Sequence, residues 1–85
     1  MPVKVKICGV TRADDARAAV AAGADYIGLN FWPRSPRSVD VDGARRVAEA
    51  SGDTPLVGVF VDAAREDVER TAEQVGLSLL QFHGD

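Results

Sequence analysis

The feature that most constrains the fold of this chain is a strand pattern followed by a helix pattern, which occurs three times before a fourth strand. Residues 3–8 alternate apolar and polar side chains, and residues 56–61 form an almost continuous apolar run. The first pattern is typical of a strand with two different faces, and the second of a parallel strand buried on both faces. With strands also predicted at 24–31 and 77–82, the sequence predicts an α/β fold of order β-α-β-α-β-α-β around a parallel sheet.

The first two predicted helices have recognisable beginnings. Thr11 is a candidate N-cap with Asp14 three residues later, so we expect the first helix to run from about residue 12 to 22. Asp40 or Asp42 begins the second helix, which ends near residues 51–52. These boundaries place a short connection between each strand and the helix after it.

The third helix and the loop before the second helix are also marked. Asp62 is the predicted N-cap of the third helix, and Gly76 ends it. Pro33 and Pro36 exclude a helix from the loop at residues 32–38, because proline fixes φ and disfavours a helical residue before it. We therefore expect a rigid loop there.

Right-handed crossovers place all three helices on one side of such a sheet, so its other face needs a cover. An eight-stranded (β/α)8 barrel provides that cover by closing on itself, and such barrels typically need about 250 residues. A doubly wound fold would instead cover that face with helices, but the chain has no G-x-G-x-x-G motif after its first strand. Its 85 residues hold fewer than half the elements of a full barrel. The sequence thus predicts a truncated (β/α)8 barrel, with residues 1–85 belonging to one domain and no second domain.

Composition excludes several classes of function. A formal net charge of −3 argues against a nucleic-acid or membrane-surface protein, because both need clustered Lys and Arg. One Cys and one His fall short of the three or four ligands that zinc requires, so we predict no metal site. A single cysteine forms no internal disulfide, and no apolar stretch reaches the length of a signal or membrane segment. The default compartment is the cytoplasm.

Cys8 is the first candidate catalytic residue, because it stands at the end of the first strand and is followed by Gly9. The carboxyl ends of strands and the loops after them carry the chemistry of βα units. Lys6 shares its face and would favour the thiolate form, although Lys4 and Lys6 can equally be solvated residues of an edge strand. The other interpretation of Cys8 is a small buried apolar residue, the commonest role of an unpaired cysteine.

Two further pairs are candidate ligand contacts. Arg34 and Arg37 flank a proline-stiffened turn, and a guanidinium held there can bind a carboxylate or phosphate with two hydrogen bonds. Gln81 and His83 form a polar pair on one face of the fourth strand, where a hydrogen-bonded core histidine is the alternative. If the strands are parallel, Cys8, Asp62, His83 and the loop from Asn30 to Ser38, here named the second loop, lie along one rim.

The chain resembles the phosphoribosylanthranilate isomerase family of tryptophan biosynthesis. No single segment is specific, but their order and spacing together are. The segments are Val5-Lys6-Ile7-Cys8-Gly9 with Thr11, Gly23-Ala24-Asp25-Tyr26-Ile27-Gly28, Phe31 with Ser35-Pro36-Arg37, Val57-Gly58-Val59-Phe60-Val61 and Leu80-Gln81-Phe82-His83-Gly84-Asp85.

The resemblance implies a (β/α)8 barrel that converts its small-molecule substrate, phosphoribosylanthranilate, from an aminoaldose to an aminoketose without a cofactor. It implies that Cys8 is the general base, that Arg37 holds the anthranilate carboxylate, and that Gln81 and His83 face the substrate. The family's general acid and phosphate site belong to later βα units. The resemblance therefore implies an amino-terminal portion that is inactive alone.

Two alternatives remain open from the residues. Another barrel enzyme that acts on a sugar phosphate would share the βα repeat but not the Lys-Ile-Cys-Gly start. A non-catalytic half-barrel would pair with a copy of itself or with a second chain that supplies a carboxyl-terminal half, since its outer strands offer unpaired edges.

Overall fold

A computed structural model describes residues 3–83 of the chain. Strands and helices alternate throughout, as the sequence predicts. The elements are β1 (Lys6–Ile7), α1 (Ala13–Ala21), β2 (Tyr26–Asn30), α2 (Val41–Ala50), β3 (Leu56–Val61), α3 (Arg65–Val75) and β4 (Leu79–His83). The predicted continuation into Gly84 and Asp85 lies outside the described residues.

The four strands form one parallel sheet in the order β1-β2-β3-β4. Ile7 lies opposite Ile27, which in turn lies opposite Leu56. Paired β1 is shorter than predicted, although the Val5 carbonyl accepts hydrogen bonds from the amides of residues 25 and 26 and so continues the contact. Sequential neighbours in a parallel sheet are the arrangement of a barrel wall.

The helices pack on one face of this sheet, and the main core lies between the two layers. α2 contacts both α1 and α3. Ile27 and Leu29 from β2 are fully buried with Ala44 and Val47 from α2. The small side chains of α1, such as buried Ala16, let that helix approach the sheet closely. The prediction of three helices on one side is confirmed.

The opposite face of the sheet is concave. The ammonium of Lys6 on β1 lies 2.6 Å from Oε1 of Gln81 on β4, although two strands separate them. Neighbouring strands are about 4.8 Å apart, so a flat sheet would hold β1 and β4 about 14 Å apart. The contact of these two side chains requires the sheet to curve toward this face, as a barrel wall does.

The first residues of two helices differ from the prediction. Arg12, and not Thr11, is the N-cap of α1, and its side chain makes no capping hydrogen bond. Val10 is buried and its amide is bound to the Gly28 carbonyl, which delays the start of the helix. For α2, Asp40 is the N-cap among the two predicted candidates, Asp40 and Asp42, because its carboxylate accepts from the Gly43 amide at 2.7 Å.

Asp62 is not the N-cap of α3, which is Ala64. The Asp62 amide donates to the His83 carbonyl at 3.3 Å, so this residue still follows the sheet. Its φ of 50° is in the left-handed region, which Asp tolerates better than most residues. This geometry turns the chain away from β3 before α3 begins.

No helix within residues 3–83 is long and apolar enough to cross a membrane.

Candidate functional site

A cavity of about 1050 Å³ opens on the concave face at the carboxyl ends of the strands. Parallel strands bring their carboxyl ends to one edge, which is where barrel enzymes bind ligands. The predicted rim of Cys8, the second loop, Asp62 and His83 therefore exists. The lining residues are Cys8, Asn30, Trp32, Pro33, Arg34, Val59, Val61, Asp62, Gln81 and His83.

Cys8 follows β1 directly and is exposed. The interpretation of this residue as a buried apolar side chain is therefore wrong. Exposure to a cavity that also holds polar side chains is the setting in which a thiol can react.

Gly28 on the neighbouring strand makes room for Cys8. An ideal Cβ on Gly28 would lie 3.0 Å from both Cα and Sγ of Cys8, a tight contact that would make Cys8 move by a few tenths of an ångström. The Gly28 carbonyl also accepts hydrogen bonds from the amides of Gly9 (3.1 Å) and Val10 (3.2 Å). Gly28 thus leaves space for the thiol and fixes the turn that follows it.

Lys6, Gln81 and His83 form a hydrogen-bonded line across the concave face. The Lys6 ammonium donates to Gln81 Oε1 at 2.6 Å, and Gln81 Nε2 lies 3.1 Å from His83 Nε2. The predicted Gln81–His83 pair is brought together, and His83 is exposed, so it is not a core histidine. Lys6 is an exposed edge-strand residue whose polar partner is Gln81.

Arg37 lies beside the cavity and does not line it. An ideal Cβ on Gly9 would lie 2.8 Å from Cδ and 3.1 Å from Nη1 of Arg37, so this side chain crosses directly over the Gly9 backbone. Gly9 has a φ of +76°, a conformation that also favours glycine. The guanidinium therefore lies next to the residue that follows Cys8. Arg34, the weaker of the two arginine candidates, lines the cavity itself.

The second loop contains no helix, as its two prolines predicted, and it is held by its own hydrogen bonds. Asn30 Oδ1 accepts from the Trp32 amide at 2.8 Å, and Ser35 Oγ accepts from the Arg37 amide at 3.1 Å. The Val39 amide donates to the Asn30 carbonyl at 2.9 Å, which closes the loop onto the end of β2. Both arginines are thus carried by an ordered turn.

Sequence reasoning missed the role of Gly28 and the contact between Lys6 and Gln81. A glycine inside an apolar strand is a signal of close approach by a neighbouring group, and Gly28 carries that signal. The Lys6–Gln81 contact had no comparable signal, because the two residues are 75 positions apart and meet only through the curvature of the sheet.

Comparison with known proteins gives one consistent result. The family model described as N-(5'phosphoribosyl)anthranilate (PRA) isomerase matches residues 5–85. An N-(5'-phosphoribosyl)anthranilate isomerase of Pseudomonas aeruginosa (strain LESB58) is 51% identical over 98% of this chain and 40% of its own length. One from Leptothrix cholodnii is 57% identical over 96% of this chain and 38% of its own length. The chain thus spans about 40% of the length of these curated relatives.

Solved structures agree in fold. The phosphoribosyl anthranilate isomerase of Thermotoga maritima superposes with a TM-score of 0.94 at 39% identity, over 99% of this chain and 42% of that one. A phosphoribosyl anthranilate isomerase in complex with reduced 1-(o-carboxyphenylamino)-1-deoxyribulose 5-phosphate gives the same TM-score and identity over 99% of this chain and 44% of that one. The four strands and three helices correspond to part of the barrel of these proteins.

Proposed function

Because the chain belongs to the phosphoribosylanthranilate isomerase family, we propose that it forms the part of such an enzyme that carries the general base and the contacts to the substrate carboxylate. The proposed reaction is the rearrangement of N-(5-phosphoribosyl)anthranilate to 1-(2-carboxyphenylamino)-1-deoxyribulose 5-phosphate. The observation that carries this proposal is the exposed Cys8 thiol, which shares one cavity with Gln81 and His83.

In this proposal Cys8 acts on the ring-opened substrate. The ring-opened substrate is an iminium, in which the nitrogen is double-bonded to the neighbouring sugar carbon. The thiolate removes the proton from the sugar carbon that bears the 2-hydroxyl; the electron pair of that C–H bond forms a carbon–carbon double bond, and the π pair of the C=N bond moves onto the nitrogen, which becomes a neutral amine. The resulting enol becomes the ketone when its hydroxyl loses a proton and the carbon that carries the nitrogen takes one up. A positioned base of this kind typically contributes about 10²- to 10⁴-fold to the rate.

The substrate carboxylate needs a cationic partner, and the second loop offers two. The reduced product bound to one solved relative contains a carboxyphenyl group, which sets the same requirement there. We assign the carboxylate to Arg37, which lies across Gly9 beside the base, while Arg34 in the cavity lining is the competing partner. Two parallel hydrogen bonds from one guanidinium would fix the anthranilate ring as well as its charge.

The remaining chemistry is proposed to need further polypeptide. The cavity is open on one side, and apolar side chains on both outer strands are exposed, among them Ile7 on β1 and Leu80 and Phe82 on β4. Covering such surfaces is what closes a barrel. We propose that a carboxyl-terminal half covers them and brings the acid that opens the sugar ring and the site that holds the phosphate, and that the chain self-associates without it.

A chimera tests the function directly. In it, this chain replaces the matching segment of the Pseudomonas aeruginosa relative, and turnover of phosphoribosylanthranilate is followed. We expect turnover within about tenfold of that relative, because the segment should place its site residues to better than 1 Å. A mismatch of 1 Å would already cost about 10²-fold. A folded chimera without isomerase activity would contradict the proposed function.

A further inference from the structure

The line of Lys6, Gln81 and His83 determines where hydrogens lie on the concave face. The Lys6 ammonium has three donors and no acceptor, so the Gln81 atom 2.6 Å away must be the amide oxygen. The amide nitrogen of Gln81 is then the atom that faces His83, at 3.1 Å from Nε2. That nitrogen is only a donor.

The consequence for His83 follows from its two ring nitrogens. Nε2 can accept the hydrogen bond from Gln81 only when it carries no hydrogen itself. In a neutral imidazole the hydrogen is then on Nδ1, because one ring nitrogen donates and the other accepts. The other tautomer, with the hydrogen on Nε2, would place that N–H donor against the N–H donor of Gln81.

We propose that Lys6 is a positioning residue that acts through Gln81 to hold His83 in its Nδ1–H tautomer. His83 then offers an N–H donor to a ligand in the cavity that it lines with Cys8. The matching ligand group is an oxygen acceptor, either a sugar oxygen or a carboxylate. This last step depends on the proposed function, whereas the tautomer depends only on the hydrogen bonds.

Ring-¹⁵N NMR tests the tautomer. His83 is the single histidine of this chain, and in the chimera its signals are assigned by their loss in His83→Gln. We expect Nδ1 at the chemical shift of a protonated nitrogen and Nε2 at that of an acceptor. The same sample is assayed for turnover, so structure and activity are read together.

Substitutions at two lysines of one strand test the cause. Lys6→Met frees the Gln81 amide to rotate, and we expect a substantial population with the hydrogen on Nε2 and a fall in kcat/KM of about 2- to 10-fold, the effect of one hydrogen bond. Lys6→Arg retains a pure donor and is expected to restore both readouts. Lys4→Met is the matched control, because Lys4 lies over the Tyr26 ring, 5.8 Å from its centroid, and not on this line.

Several outcomes would overturn the proposal. A hydrogen on Nε2 in the unsubstituted chimera would do so, as would an unchanged ring in Lys6→Met or an equal change in Lys4→Met. Gln81→Leu provides a second route, since removing the amide must shift the ring in the same way. An Nδ1–H ring in a chimera without turnover would support the tautomer and count against the proposed function instead.

Discussion

The central strands and the outer strands of this sheet have opposite characters. Ile27 and Leu29 on β2 are fully buried and Phe60 on β3 is 4% exposed, whereas Ile7 on β1 is 40% exposed and Phe82 on β4 is 63% exposed. The candidate catalytic and binding side chains nevertheless lie at the outer strands, because Cys8 directly follows β1 and Gln81 and His83 belong to β4.

This difference separates the residues that hold the fold from those proposed to perform the chemistry. Central-strand side chains pack under the helices, and their burial stabilises the sheet whether or not a ligand is present. The outer strands carry the polar groups and have apolar faces still to be covered. Substitutions in the centre should therefore lower stability, and substitutions at the outer strands should lower activity.

We expect the greatest loss of activity at Cys8, the residue directly after β1. Cys8→Ala in the chimera should lower kcat by about 10²- to 10⁴-fold, the contribution of a positioned base. Because the side chain is exposed, the urea midpoint should change little. Near-normal turnover would remove Cys8 from the mechanism.

The counterpart in the centre is Leu29. Leu29→Ala should lower the free energy of unfolding by about 2–5 kcal/mol, because it leaves a cavity in the core. Phe82→Ala in the 85-residue chain should instead mainly reduce self-association, measured by sedimentation beside urea unfolding. An equal loss of stability in both variants would contradict the difference proposed between the central and the outer strands.

Gly28 links the two regions, since it belongs to β2 but contacts Cys8. Gly28→Ala should lower kcat, but by less than the about 10²-fold that a 1 Å displacement of the base costs, because Cys8 has to move by only a few tenths of an ångström. The effect must disappear when Cys8 is already Ala. A further loss in the Cys8→Ala/Gly28→Ala chimera would indicate that Gly28 acts through something other than the thiol.

A smaller loss of activity than at Cys8 is expected at the contact with the substrate carboxylate. Arg37→Lys should lower kcat/KM by about tenfold, because an ammonium keeps the charge but loses the planar pair of donors. Arg70→Lys on α3 is the control, since Arg70 pairs with Asp67 on that helix. If Arg34→Lys loses activity and Arg37→Lys does not, the carboxylate contact belongs to Arg34.

Local patterns predicted the order of elements because each strand and helix has its own periodicity. The apolar run at 56–61 became β3 with the same bounds, and Asp40 capped α2 as expected. Caps at Thr11 and Asp62 were wrong because contacts from other strands, through the Gly28 and His83 carbonyls, decide where the chain leaves the sheet. Such contacts have no local signature.

The candidate site likewise combines features that the sequence predicts with features that depend on contacts between distant residues. Parallel topology alone placed Cys8, Asp62 and His83 at one rim. Curvature, which local sequence does not encode, brought Lys6 to Gln81. The positions of the two arginines also depend on how the second loop folds over Gly9, so their order of importance could not be predicted from spacing.

We propose that this chain supplies the base and the carboxylate contact of an isomerase that needs a further half to act. The direct test measures turnover of phosphoribosylanthranilate by the isolated chain, by the complementary portion of the Pseudomonas aeruginosa relative, and by their mixture, with sedimentation of each sample. Cys8→Ala in the mixture is the control.

We predict a self-associated, inactive isolated chain and a mixture whose activity depends on Cys8. A proton-abstracting thiol without a ring-opening acid or a fixed phosphate has no oriented substrate to act on. Isomerase turnover from a monodisperse monomer of this chain alone would show that no further half is needed.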